Sequence, residues 1–153
     1  MNLSTLIEET LAKAEGGVLD SVTFFSALAT TQPDLFTFLF DEDTRLLLEQ
    51  EHDYLLFLSM ILLDVLQQSG TNPDAIDLES LEDMSEYNWG LLEHTSIETI
   101  TETVSRHPGY ALYTFLEEAC TPENAHDVLS EAAVELVYVK CKSLVDCAFL
   151  SVD

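Results

Sequence analysis

The run Tyr54-Leu55-Leu56-Phe57-Leu58-Ser59-Met60-Ile61-Leu62-Leu63-Asp64-Val65-Leu66 decides the fold class. It is apolar on every side of a helical wheel, and a helix of that kind is buried, either in a protein core or in a membrane. A membrane span needs about 20 predominantly apolar residues. This run is shorter and carries Ser59 and Asp64. It therefore reads as the central helix of a soluble bundle, expected to extend from near Thr44 to Ser69. Asp41, Glu42 and Asp43 would then put negative charge at its N-terminus, where the macrodipole favours it, and Gly70 would end it.

Working outward, helix signals follow one another with short gaps. Leu3, Leu6, Ile7, Leu11 and Ala14 form an apolar stripe at helical spacing, with Thr5-x-x-Glu8 as a capping box and Gly16-Gly17 as the stop. A second helix is expected from Asp20, with Val22, Phe25, Leu28 and Ala29 on one face. Pro33 suits the first position of a short third helix, Leu35 to Phe40, that is rich in aromatics. Beyond the central run, Asp77 can cap a helix carrying Leu78, Leu81 and Met84, which either continues through Trp89-Gly90 to His94 or breaks there. Thr95-x-x-Glu98 reads as a further capping box, ahead of Ile97, Ile100 and Val104. His107-Pro108-Gly109 is a break before Leu112, Phe115, Leu116 and Ala119. Thr121-Pro122-Glu123 signals the start of a last helix that carries Val128, Leu129, Ala132, Leu136 and Val139 toward Leu150. Val134 to Cys141 is β-branched enough for a strand, but it alternates poorly and has no partner strand, so it is assigned to helix.

The expectation is an all-α, single-domain bundle spanning residues 1–153, of about seven helices around a buried central one. An internal two-fold repeat is also suggested. Leu35-Phe36-Thr37-Phe38-Leu39 aligns with Leu112-Tyr113-Thr114-Phe115-Leu116, and in that register Thr44 falls on Thr121.

Composition agrees with this reading. The chain has 153 residues, 47% of them apolar, with only 5 Gly and 4 Pro to build the turns of a many-stranded sheet. Cys120, Cys141 and Cys147 are odd in number and form no C-x-x-C pair, which points to reduced thiols and a cytoplasmic location. The N-terminus lacks the basic and apolar regions of a signal peptide.

The charge is unusual. Five Lys and Arg face 29 Asp and Glu, for a net charge of −24. Between Leu46 and Ser105 there is no Lys or Arg at all. Direct nucleic-acid or anionic membrane binding is opposed by such a field, whereas a basic protein partner is attracted. The expected 26-residue central helix would be ~40 Å long at ~1.5 Å per residue, a length over which duplex DNA carries ~24 charges. That match suggests an inhibitor, an immunity-type protein or a DNA mimic. Charge that serves solubility alone is the plainer alternative.

Enzyme signatures are absent: there is no G-x-S-x-G, G-x-G-x-x-G, P-loop or H-E-x-x-H. No cofactor is expected. Glu49-x-x-His52 and Glu123-x-x-His126 each place a Glu and a His on one helical face, as di-iron carboxylate bundles do, which makes a metal-binding bundle the alternative function. Cys120 near His126 is another pairing, although a small buried thiol beside Leu116 and Ala119 explains Cys120 as well. The favoured reading is non-enzymatic: an acidic binding protein whose surface includes Glu79, Glu82, Asp83 and Glu86, the densest acidic stretch on one helix, with Tyr87 and Trp89 as apolar contacts. The sequence does not fix the oligomeric state.

Overall fold

A computed structural model describes residues 2–121 and 128–150. The described residues form eight α-helices and no strand: α1 Leu3–Glu15, α2 Ser21–Thr31, α3 Pro33–Leu39, α4 Glu49–Gln68, α5 Leu78–His94, α6 Ile97–Thr103, α7 Tyr110–Ala119 and α8 Glu131–Leu150. Single 3₁₀ turns at Asp43–Leu46 and Pro73–Ala75 precede α4 and α5.

Two helices make the centre of the bundle. The expected one, α4, buries Leu55, Leu58, Ile61, Leu62 and Leu66. The other is α8, in which every position from Leu136 to Val145 is buried. These helices pack on each other; α1 and α2 cover α4, while α5 and α7 cover α8. The polar residues of the apolar run have partners. Asp64 accepts from Thr10 at 3.0 Å and Lys13 at 3.3 Å, both on α1. Ser59 lies 3.9 Å from the Cys141 thiol.

The central helix is shorter than expected. The chain is extended at Leu48, and α4 begins at Glu49 and has 20 residues. Local side-chain bonds account for the break, because they compete with helix for the same backbone groups. Asp41 accepts from the Thr44 N–H at 3.1 Å, the Thr44 hydroxyl donates to the Asp41 carbonyl at 2.9 Å, and Glu51 accepts from the Leu48 N–H at 2.8 Å. Asp41, Glu42 and Asp43 thus belong to a separate turn and do not start α4. At ~1.5 Å per residue α4 is ~30 Å long, and duplex DNA of that length carries ~18 charges. The charge match drawn from the longer helix is lost.

Other boundaries shift by a residue or a few. Asn2, not Thr5, caps α1, accepting from the Thr5 N–H at 2.8 Å. Ser96 caps α6, since the Thr95 N–H is still bonded to Leu91 and closes α5. Asp77 caps α5 as expected, and Asp20 caps α2, which holds both carboxyls below their ordinary values. Gly17 and Gly70 take positive φ, 79° and 93°, after α1 and α4. On α2, Phe25 and Leu28 are buried, whereas Val22 and Ala29 face solvent. The helix α5 continues through Trp89-Gly90 to His94. The expected start at Thr121-Pro122-Glu123 lies mostly outside the described residues. Val128 to Ser130 are not helical, and Ser130 caps α8, its hydroxyl accepting from the Ala133 N–H at 3.3 Å. The segments suggesting a repeat fall on α3 and α7, which take different neighbours: α3 packs on α2 and α5, and α7 on α6, α8 and α1. An internal two-fold is not confirmed.

Candidate functional site

Two of the five basic residues are inside the protein. Lys140 and Lys142, on α8, are 1% and 4% exposed. The Lys140 ammonium sits 3.9 Å from the centre of the Phe38 ring, donates to the Phe38 carbonyl at 2.7 Å and pairs with Asp41. That carbonyl is in the last turn of α3, where helical carbonyls lack intrahelical partners and a cation is favoured. Lys142 donates to Asn88 Oδ1 at 2.8 Å and to Asp146 at 2.9 Å. Asp146 accepts in addition from Asn88 Nδ2 and from the Tyr113 hydroxyl, and Asn88 Nδ2 also donates to Ser143. Burial, the neighbouring Asp146 charge and the hydrogen bond to it all push the Tyr113 phenol upward, so it stays protonated as the donor.

The outer surface is correspondingly anionic. Arg45 and Arg106 are exposed, Lys13 is half-covered by its pair with Asp64, and most of the described carboxylates face solvent. On α5, Glu79, Glu82, Asp83 and Glu86 are all exposed, and helical spacing puts them on one face. Tyr87 is 61% exposed at the edge of that face. Trp89 follows Glu82 by seven residues and Glu86 by three, so it shares their side of α5, but it is only half-exposed. Two residues along a helix is about 200° of rotation, which puts Trp89 at the other edge of the face from Tyr87, half-buried in a hollow with Leu47, Ala133 and Leu136.

An apolar groove runs beside the acidic face. One part, a cleft of about 470 Å³, lies between Ile76, Asp83, Met84 and Tyr87 on one side and Cys147 and Leu150 on the other. A second cleft of about 350 Å³ shares Met84, Tyr87 and Leu150 and continues to Leu91, Ile100 and Val104. Lys142, Asp146 and Tyr113 reach the wall of this second cleft. Burial first, then the charges of Asp146 and Asp77, push the Cys147 thiol up to about 11. The groove is therefore mostly apolar, with the Lys142–Asp146 pair in one wall and Asp83 at its edge beside the acidic face of α5. Elsewhere, Glu98, Glu117, Glu131 and Glu135 line a separate cleft of about 520 Å³ together with Cys120.

Of the residues read as metal ligands, two lie among the described residues. His52 turns its Nε2 to the Leu39 carbonyl at 3.0 Å and lies edge-on to Phe40. Glu49 is exposed. Glu123 and His126 lie outside the described residues. Among the described residues no three His, Cys, Asp or Glu side chains are grouped to hold a metal ion. Burial pushes the Cys120 thiol up to about 12, away from the thiolate that nucleophilic chemistry requires.

The carboxylate that matters most in this region is Glu51, not Glu49. Glu51 is 3% exposed and bridges the starts of both central helices: Oε1 accepts from the Leu48 N–H, and Oε2 from the Ser130 N–H and hydroxyl, each at 2.9 Å. Burial raises its pKa, but the bonds it accepts from Ser130 and Leu48 outweigh that and hold it below the ordinary value. Leu48-x-x-Glu51 ahead of an apolar run was the available signal, since a Glu at the third helical position commonly reaches back to the cap N–H. Nothing in the sequence pointed to Ser130. In comparisons with known proteins, no family model matches the chain, and no curated protein or solved structure is similar to it.

Proposed function

We propose that this protein is a non-enzymatic acidic binding protein that engages a basic protein partner through the outer face of α5. One observation carries the reading: Lys140 and Lys142 are withdrawn into the core while Glu79, Glu82, Asp83 and Glu86 stand exposed side by side. Electrostatic potential adds over a surface, and a face with no compensating cation raises the local concentration of a basic partner and its association rate. In its most specific form the partner is a nucleic-acid-binding protein whose basic surface this face occupies, as an inhibitor or immunity-type protein would.

The test is a low-salt pull-down from the native cell with graded salt elution, using the parent protein and a variant in which Glu79, Glu82 and Glu86 become Gln and Asp83 becomes Asn. The parent should retain basic proteins that elute with salt. The variant should fold normally, associate more slowly with the same proteins and elute with a flatter salt profile. Equal capture and equal salt profiles would remove the α5 face from the reading. If the parent has no salt-sensitive partner, solubility remains as the role of the charge.

A further inference from the structure

The groove beside the acidic face specifies more than a basic surface. We infer that it receives an amphipathic basic helix of the partner, apolar side chains seated along Met84, Tyr87 and Leu150 and Lys or Arg side chains lying over Asp83, Glu79 and Glu86. The inference rests on the binding reading above and names the partner's recognition element. From Ser80 to Leu91 the groove wall follows α5 for ~16 Å at ~1.5 Å per residue. That length is about three helical turns, enough for apolar anchors at i, i+3 or i+4, and i+7.

Three features converge on this occupant. Tyr87 and Leu150, two of the most exposed large apolar side chains at 61% and 67%, flank the same groove. Asp83 lines it, and Glu79 and Glu86 follow on the adjoining strip of α5. A second copy of this chain would bring the same acidic strip and a net charge of −24 against itself, and an anionic membrane surface would be repelled likewise. An apolar segment with basic flanks satisfies both the groove and its edge.

The probe is a synthetic 14-residue Leu/Lys peptide, Leu at helical spacing, beside a scrambled isomer of the same composition and a Gln-for-Lys version. Binding is followed by fluorescence anisotropy and helix formation by circular dichroism. The parent should bind the amphipathic peptide at least tenfold tighter than the scrambled isomer, and the peptide should become helical on binding. Tyr87→Ser with Leu150→Ser, both exposed, should bring the two peptides level. If the parent binds both isomers equally, the groove inference is overturned and the acidic-face reading stands. If it binds neither, both fall. Equal affinity for the Gln version would show an apolar site indifferent to charge, overturning a basic occupant. A parent dimer in sedimentation that Tyr87→Ser dissociates would give the groove to a second copy instead.

Discussion

Lys142→Met is the substitution that bears most directly on the buried charge. The Lys142 side chain is 6% exposed and its partner Asp146 is 11% exposed, so removing the ammonium leaves a carboxylate with little water. Breaking a buried pair from one side costs ~3–5 kcal/mol. Here Asp146 keeps its bonds from Tyr113 and Asn88, which favours the lower end, while Asn88 Oδ1 loses a charged donor. A cost of ~3–4 kcal/mol is expected, since hydrogen bonds to charged groups contribute ~1.5–3 kcal/mol. Adding Asp146→Asn removes the stranded charge and keeps an acceptor for Tyr113, so the double variant should be less destabilised than the single one. Lys13→Met is the control. Its pair with Asp64 is 39% exposed on the lysine side, so the change should cost under ~1 kcal/mol. Urea unfolding of the parent, these three variants and Asp146→Asn alone, with midpoints compared at constant slope, gives the values. Additive single and double effects, or Lys142→Met costing less than ~1 kcal/mol, would refute the buried network.

Two further outcomes follow from other parts of the core. Glu51→Gln should cost ~2–3 kcal/mol, because an amide cannot accept from Leu48 and from both donors of Ser130 as a carboxylate does. The folded pKa of Glu51 is depressed, so its contribution is full above the unfolded value near 4.5 and is lost as pH falls through the lower folded value. Urea midpoints of the Gln variant should therefore fall less steeply with acidification than those of the parent, and parallel curves would contradict the assignment. Cys120, Cys141 and Cys147 are buried with raised pKa values, so a disulfide-exchange reagent should label them in unfolded protein far faster than in native protein. Rapid labelling of the native state would show that at least one thiol is exposed.

The all-helical class was legible because periodicity and caps agree: Tyr54 to Leu66 is apolar all round, and Asp20, Pro33, Asp77 and Gly70 punctuate the chain where helices start and stop. What escaped was set by contacts distant in sequence. α8 is as central as α4, whereas the sequence alone put only the Tyr54 to Leu66 helix at the centre; α8 carries Lys140 and Lys142. Their burial depends on Phe38, Asp41 and Asn88, on other helices. The α4 boundary slipped because Asp41 and Glu51 tie down the backbone between them, and a Leu46-Leu47-Leu48 run offers no breaker residue. For the candidate surface, helical spacing placed the four carboxylates together on α5. Tyr87 and Trp89 fall on opposite edges of that face, Tyr87 beside Asp83 and Trp89 beside Glu82 and Glu86, and Trp89 is half-buried. The groove was not legible at all, because its second wall is the far end of α8.

The placement of the lysines also weighs the two explanations of the charge. A small domain stays soluble with a net charge of magnitude ~2–8, and the −24 of this chain is well beyond that. Excess charge of one sign destabilises the compact state through self-repulsion, so a protein selected for solubility alone gains from having its few lysines among the surface carboxylates. Here Lys140 and Lys142 are instead each neutralised internally, by Asp41 and Asp146. The net charge is unchanged by that pairing, but the anionic field outside is left without their relief. On α5 this leaves four carboxylates in a row beside an apolar groove. Solubility does not require the carboxylates to be grouped beside a groove edged by the exposed Tyr87 and Leu150. The proposed partner, with basic residues flanking an apolar face, would use both.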